Sequence, residues 1–416
     1  MSIYQVSGKI INDPIYGLIQ MPKGIGYDII NHNWFQRLRR IKQLGLTNMV
    51  YPGAEHTRFS HTLGCVYLMQ NALDVLYSKG VKIEPEEAEG AILAILLHDI
   101  GHSPFSHALE NTLVSKMSHE DISLLIVCEL NKIYSSALNV AIEITKNQYP
   151  KKFLHQLVSS QLDTDRLDYL KRDSFYTGVS EGVISTDRII KTLNVVDDQL
   201  VVDQKGIYSV EKFLIARRLM YWQVYLHKTV ISAQQMLKNI FLYAKELTLK
   251  GVKLPASPEV SYFINSIDFI NECDIQTFIE LDDYSIISTI KNWTKFSNPL
   301  LKILCNKYFD RNLSKMQLNN KQYDENLIED LRNRAAKKFN ISYEEAKYLV
   351  YSDSLSNKTY SPSEENIFIL SKSGEVQTIV EASDMFKHDV LSKTVLKYYL
   401  CYPKEIDFSF TSNYKT

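Results

Sequence analysis

Residues 89–97 are apolar almost all the way round a helical wheel, and the run ends abruptly in His98-Asp99-Ile100-Gly101. A helix with no polar face has to be covered on every side. The segment therefore predicts a central helix inside a multi-helix core, with two ionisable groups at its end. A carboxylate buried without a partner is strongly unfavourable, so Asp99 requires a strong cationic neighbour or a metal ion. A chain of 416 residues, 45% of them hydrophobic, has enough material to bury such a helix.

The surrounding pattern fits a mostly α protein. From about residue 31 to 250 nearly every segment has a 3.6-residue apolar period, with glycines at plausible helix stops (Gly45, Gly80, Gly101, Gly178). The first 20 residues combine Ile and Tyr with turn signals at Asn12-Asp13-Pro14 and Gly17, which predicts a hairpin. A second hairpin is expected at residues 200–208, where Val201 and Val202 precede Asp203, Lys205 and Gly206. Pro255-Ala256-Ser257-Pro258 marks a loop, and strand-like runs follow at 366–370 and 376–380. The expected organisation is an N-terminal β element (1–30), a helical catalytic core (31–250) and a mixed α+β C-terminal region (251–416) suited to subunit packing.

Charge and cysteine content narrow the function classes. Lys plus Arg number 47 against 48 Asp plus Glu, which leaves no global field for nucleic acid or an anionic membrane, so an anionic ligand has to be held locally. Five scattered cysteines with no CxxC pair argue against both a disulfide framework and a thiolate zinc site. The longest purely apolar run, 91–97, is far shorter than a membrane span, and no leader pattern is visible. We expect a soluble, cytoplasmic, unprocessed protein.

Six of the ten histidines lie between His56 and His119. On the helix after Arg58, His61 shares a stripe with Cys65, Leu68, Ala72 and Val75, which puts the imidazole on the core side. Downstream, Val158, Leu162, Asp165 and Tyr169 fit another helical stripe and place an acid on a mainly apolar face. His61, His98, Asp99 and Asp165 together form a hard-to-borderline ligand set that suits Mn, Fe, Mg or Zn.

The ordered series Arg58-Phe59-Ser60-His61, then His98-Asp99-Ile100-Gly101-His102-Ser103-Pro104-Phe105-Ser106-His107, then Asp163-Thr164-Asp165-Arg166-Leu167-Asp168-Tyr169 resembles the H…HD…D signature of the HD-domain phosphohydrolases. Within that superfamily it is most similar to the deoxynucleoside triphosphate triphosphohydrolase (dGTPase-like) branch. The resemblance runs clearly from Lys9 to about Leu249. It implies an HD-domain helical core in which the four ligands hold a metal that activates water, with attack at the α-phosphorus and release of whole triphosphate.

By the same resemblance, His107 and Glu110, read as i, i+3 on a helix after Pro104, form the catalytic dyad. His102 touches the α-phosphate, His119 with Glu120 forms a second His-acid pair, and Arg58 meets a phosphate. Arg166 takes phosphate where relatives often have Lys, Tyr169 packs on the sugar, Asp173 binds the 3′-hydroxyl with help from Gln43, and Leu44 is a further expected substrate-binding residue. Arg217, Tyr221, Tyr225 and Lys228 make a stripe that could meet a base.

In residues 34–45 the apolar residues face one way and Arg37, Arg39, Arg40 and Lys42 line the other, usually a solvated face. That segment, with Arg188 and Lys228, resembles part of the region where some relatives hold an effector nucleotide between subunits of a homo-oligomer. Two readings compete with dNTP hydrolysis. One is an HD phosphohydrolase acting on a monophosphate, a cyclic nucleotide or a guanosine polyphosphate. The other is a nucleotide-sensing regulator that retains the metal site.

Overall fold

The computed structural model describes residues 4, 6–110, 112–114, 117–265, 274–357, 366–385 and 395–406, and these are mostly helical. At the centre is the helix Pro85–Leu97. Pro85 opens it, and Glu84 and Glu87 form a reciprocal capping box. Apart from Glu89, every residue from Glu87 to Leu97 is buried, as an all-apolar helix requires. His98 ends the helix at the floor of the site.

The helix Arg58–Ser78, N-capped by Thr57 on the Ser60 N–H, packs beside it and against the helix Thr164–Thr177. The second contact needs Gly64, because a Cβ there would lie 2.0 Å from Asp168 Oδ1 and 2.4 Å from Arg172 Nη2. Gly64→Ala is expected to cost roughly 1–3 kcal/mol of stability from overpacking. Thermal or urea unfolding of the two proteins side by side measures this, and an unchanged midpoint would mean that the helices separate easily.

The stripe from Val158 to Tyr169 is not one helix. The helix Lys152–Val158 stops, and the Asp163 carboxylate takes the N–H groups of Ser160 (2.8 Å) and Arg166 (2.7 Å), so a new helix begins at Thr164. An N-capping aspartate outcompetes the apolar period here, and Asp165 stands in a first turn. Residues 34–45 also differ from a solvated amphipathic helix. A single turn, Asn33–Gln36, passes into a 3₁₀ turn, Arg37–Arg40, and Arg37 is fully buried.

The N-terminal hairpin is present as β1 (Val6–Asp13) and β2 (Gly17–Pro22), antiparallel. The second hairpin lies earlier than its sequence signal. β3 (Leu193–Val196) and β4 (Gln199–Asp203) are joined through Asp197-Asp198, both at positive φ as a tight two-residue turn demands, and Gly206 instead precedes the helix Ile207–Met220.

The C-terminal region contributes β5 (Lys315–Asn319), β6 (Tyr351–Asn357), β7 (Phe368–Leu370), β8 (Val376–Thr378) and β9 (Val395–Tyr402). β7 runs parallel to β4 and extends that hairpin into the sheet β3-β4-β7-β8, while β5-β9-β6 form an antiparallel sheet. One apolar cluster runs from Ile19 to Ile379, and a smaller one centres on Leu331, Val350 and Leu400. Among the described residues no helix is long and apolar enough to cross a membrane.

Candidate active site around a His-Asp cluster

Three elements bring the four proposed ligands together: the helix Arg58–Ser78 with His61, the end of the central helix with His98 and Asp99, and the first turn of Thr164–Thr177 with Asp165. His61 Nε2 lies 3.0 Å from Asp165 Oδ1 and 3.7 Å from Asp99 Oδ2. His98 Nε2 lies 3.5 Å from Asp99 Oδ1 and 3.7 Å from Asp165 Oδ1. Both rings are set to offer Nε2 as a lone pair, because their Nδ1–H groups are committed, that of His98 to the Ile95 carbonyl (2.6 Å) and that of His61 to Asp168 Oδ2 (2.7 Å). His98 Nε2 is buried with no hydrogen-bond partner, the state expected of a nitrogen reserved for a cation. The cluster could therefore hold a metal ion.

The tightest grouping of donor atoms, all within 4.8 Å, contains His61, His98, Asp165 and Cys65. Cys65 is the poorer ligand. Burial pushes its thiol well above the ordinary range, and the sulfur sits 3.6 Å from both nitrogens of the His61 ring, against its face and out of line with either lone pair.

Asp99 has the cationic neighbour its burial demanded. Arg58 Nη1 bonds Oδ2, and His102 Nε2 lies 3.1 Å from Oδ1. Burial opposes ionisation of Asp99, but Arg58 and the flanking histidines outweigh it and hold the carboxyl well below its usual range. For Asp165, likewise, the adjacent imidazoles of His61 and His98 outweigh burial and hold the carboxyl well below its usual range. His102 is driven the other way by burial and by Arg58, so it stays neutral.

Arg58 is thus occupied on Asp99 and on Ser106 Oγ (2.8 Å), with Nε buried and unpartnered. Gly101 lets this segment touch the helix His119–Ile133, where a Cβ would meet the Ser123 nitrogen at 2.2 Å.

Among the described residues between Pro104 and His119 there is no α-helix. Phe105 and Ser106 both take left-handed conformations (φ 54° and 51°), followed by a single 3₁₀ turn, Ser106–Ala108. The i, i+3 helical geometry expected for His107 and Glu110 is therefore absent, and the His107 side chain lies outside the described residues. Glu110 accepts from His119 Nδ1 (2.9 Å) and from the His119 N–H (3.1 Å), so the carboxylate beside His119 is Glu110 and not Glu120. The hydrogen bond to Glu110 overcomes burial and raises the His119 imidazole. His119 also stacks on His102, with ring centroids 3.9 Å apart.

A cavity of about 470 Å³ opens over the cluster, within the range typical of small-molecule sites. Its lining includes Arg58, Asp99, His102, His119, Asp165 and Arg166 near the cluster, and Gln43, Leu44, Tyr169, Asp173, Arg217 and Tyr225 beyond it. Arg166 is paired with Asp163 through Nη1, while its Nε is buried without a partner. Asp173 has both oxygens engaged, by His56 Nε2 (2.7 Å) and by the Tyr225 hydroxyl (2.8 Å). Arg217 Nη1 donates to Gln161 (3.0 Å), and Gln43 Oε1 is buried and unpartnered. A second cavity of about 390 Å³, walled by polar and apolar side chains alike, shares Asp99, His119, Glu120, Asp165 and Arg166 with the first.

Sequence reasoning missed the support behind the ligands. Asp168 holds His61 and is itself gripped by Arg172 through Nε (2.9 Å) and Nη2 (3.0 Å), and Arg172 reaches Asp13 (2.8 Å). All three are buried. The i, i+4 spacing of Asp168 and Arg172, one turn past Asp165, was the available signal. His56, stacked on Tyr176 with centroids 4.5 Å apart, carried none beyond its proximity to His61.

Known proteins share this architecture. The HD domain family model matches residues 58–173, and an HD associated region matches 184–250. The uncharacterized protein YwfO of Bacillus subtilis is 31% identical over 96% of this chain and 93% of its own length. The Dictyostelium discoideum homolog of deoxynucleoside triphosphate triphosphohydrolase SAMHD1 is 32% identical over 63% of this chain, which spans 54% of that protein. A crystal structure of a phosphohydrolase from Bacteroides thetaiotaomicron superposes with a TM-score of 0.93 at 50% identity, covering 95% of this chain and all of that one. The chain belongs to the HD-domain phosphohydrolases, in the branch that resembles the deoxynucleoside triphosphate triphosphohydrolases.

Proposed function

We propose that this protein hydrolyses deoxynucleoside triphosphates at the α-phosphorus, releasing deoxynucleoside and intact triphosphate. The observation that carries the reading is one cavity with two characters. Arg58, His119 and Arg166, with neutral His102 among them, make a cationic end beside the ligand cluster, and Gln43, Leu44, Tyr169, Asp173 and Tyr225 make an aromatic and polar end. The likeness to a SAMHD1 homolog supports the substrate class.

His61, His98, Asp99 and Asp165 would hold a divalent ion, with Mn, Fe, Mg and Zn all compatible with the donor set. Such an ion supplies Lewis acidity and water of lowered pKa. The chain's own side chains do the remainder. Arg58 and Arg166 offer unpartnered Nε–H groups to phosphate oxygens, and neutral His102, with its Nε2 on Asp99, stands beside them without adding charge. The 5′-oxygen leaves as a poor alkoxide and needs a proton. We assign that transfer to His107, and His119 adds a cation that Glu110 sustains. Tyr169 lies against the sugar and disfavours a 2′-hydroxyl, Asp173 accepts the 3′-hydroxyl, and Arg217 with Tyr225 faces the base. The protein acts in the cytoplasm as a homo-oligomer, open to a nucleotide effector at the subunit interface.

Incubating the protein with Mn, Fe, Mg or Zn and each dNTP, singly and mixed, and then resolving the products, tests the reading. Equal deoxynucleoside and tripolyphosphate is expected. Pyrophosphate with monophosphate would overturn it, and turnover only in mixtures would reveal the effector.

A further inference from the structure

The left-handed pair Phe105-Ser106 is strained, and non-glycine residues keep such a conformation only where their surroundings impose it. The restraint comes from beyond the HD regions. The Phe105 N–H donates to Asp283 Oδ1 at 2.9 Å, and the other oxygen of Asp283 accepts the Lys42 N–H, also at 2.9 Å. One buried carboxylate thus ties together two segments that line the same cavity, Gln43-Leu44-Gly45 and Phe105-Ser106. Between them, the Gly45 backbone lies so near the Phe105 carbonyl that a Cβ would sit 3.1 Å from its oxygen.

The segment carrying Asp283 is itself anchored to the site. Asp282 caps the helix Asp283–Trp293 and pairs with Arg40. The Leu281 carbonyl accepts from Arg37 Nε (2.8 Å). Arg37 also reaches the Ile100 carbonyl (3.4 Å) and lies 4.6 Å over the Phe278 ring. This accounts for a buried arginine in a stretch whose sequence reads as a solvated face. It also explains why an acid stands at 283. Two N–H groups need two acceptor oxygens, and Asn would turn an NH₂ group toward one of them. The acid is retained although burial, aided by Asp282, raises its carboxyl to about 6.

We propose that Asp283 is a positioning residue for hydrolysis, a strut that fixes the Phe105-Ser106 turn against the Lys42–Gly45 wall and so sets the loop that carries His102 and His107. The proposal rests on the reading of this cavity as a phosphohydrolase site. It gives the region after residue 250 a part in that site.

Asp283→Ala and Asp283→Asn test the strut through leaving-group dependence. A dNTP expels an alkoxide that needs a proton, whereas bis(4-nitrophenyl) phosphate expels a phenolate that does not. Turnover of dNTP is expected to fall by roughly 30-fold or more in the Ala variant and by less in the Asn variant, with KM and bound Mn changed little. Turnover of bis(4-nitrophenyl) phosphate should fall by no more than about 3-fold.

Amide exchange should accelerate at Lys42–Gly45 and Phe105–Ala108 and not across the helix Pro85–Leu97. Equal losses on both substrates, loss of Mn, or exchange that rises everywhere would reduce Asp283 to a general stability role and overturn the proposal. If the native protein cleaves bis(4-nitrophenyl) phosphate but no dNTP, the substrate reading fails. The exchange pattern then still decides the strut.

Discussion

Asp165→Ala is expected to bind no divalent ion at the cluster and to lose on the order of a thousandfold or more in turnover, while melting close to the native protein. Asp165 is the cleanest probe because its near neighbours are His61 and His98, and among the described residues no arginine or lysine is paired to it. Removing it strands no permanent charge. Asp99→Ala should lose metal and activity equally but also destabilise the protein, because Arg58 would be left buried without its carboxylate. His107→Ala should keep the metal and lose turnover. Metal content by elemental analysis, set beside rate and melting temperature for the three variants, separates ligand from acid. An Asp165→Ala protein with full metal content would place the ion elsewhere.

The second large effect concerns stability. Arg172→Met is expected to cost about 3–5 kcal/mol, because it leaves Asp168 and Asp13 buried without their shared cation. Burial alone would raise the Asp168 carboxyl, but Arg172, with further help from His61, outweighs it and holds the group below its ordinary range. A carboxyl depressed in the folded state stabilises that state above its unfolded pKa, roughly pH 4, and the contribution fades as pH falls further. Urea titrations at neutral pH and near pH 3 should therefore show the native and Arg172→Met proteins far apart in the first case and closer in the second. Because Asp168 orients His61, metal affinity should also drop, by about 10–100-fold. A variant as stable as the native protein at neutral pH would mean the network is dispensable.

These two sites differ in how visible they were beforehand. The ligands sit in a motif with fixed spacing on an apolar helix end, and burial logic alone required a partner for Asp99 and pointed to His61 in the core. The hairpin at residues 6–22 and the run of helices were legible from period and turn residues. What stayed hidden depended on contacts remote in sequence or on a local cap. Asp163 breaks a helical stripe that looked continuous. Glu110 turns to His119 because the chain after Pro104 makes two left-handed residues instead of a helix. Arg37 is buried because Leu281 and Phe278, some 240 residues away, receive it. Periodicity reports which side of an element is apolar and carries no information about which distant carbonyl or carboxylate will meet a charged group.

The central claim, attack on the α-phosphorus with the nucleoside as leaving group, is tested most directly by running the reaction in water labelled with heavy oxygen and locating the label. The account predicts one labelled oxygen in the tripolyphosphate and none in the deoxynucleoside. Label in a nucleoside monophosphate or in pyrophosphate, with no labelled tripolyphosphate, would contradict it.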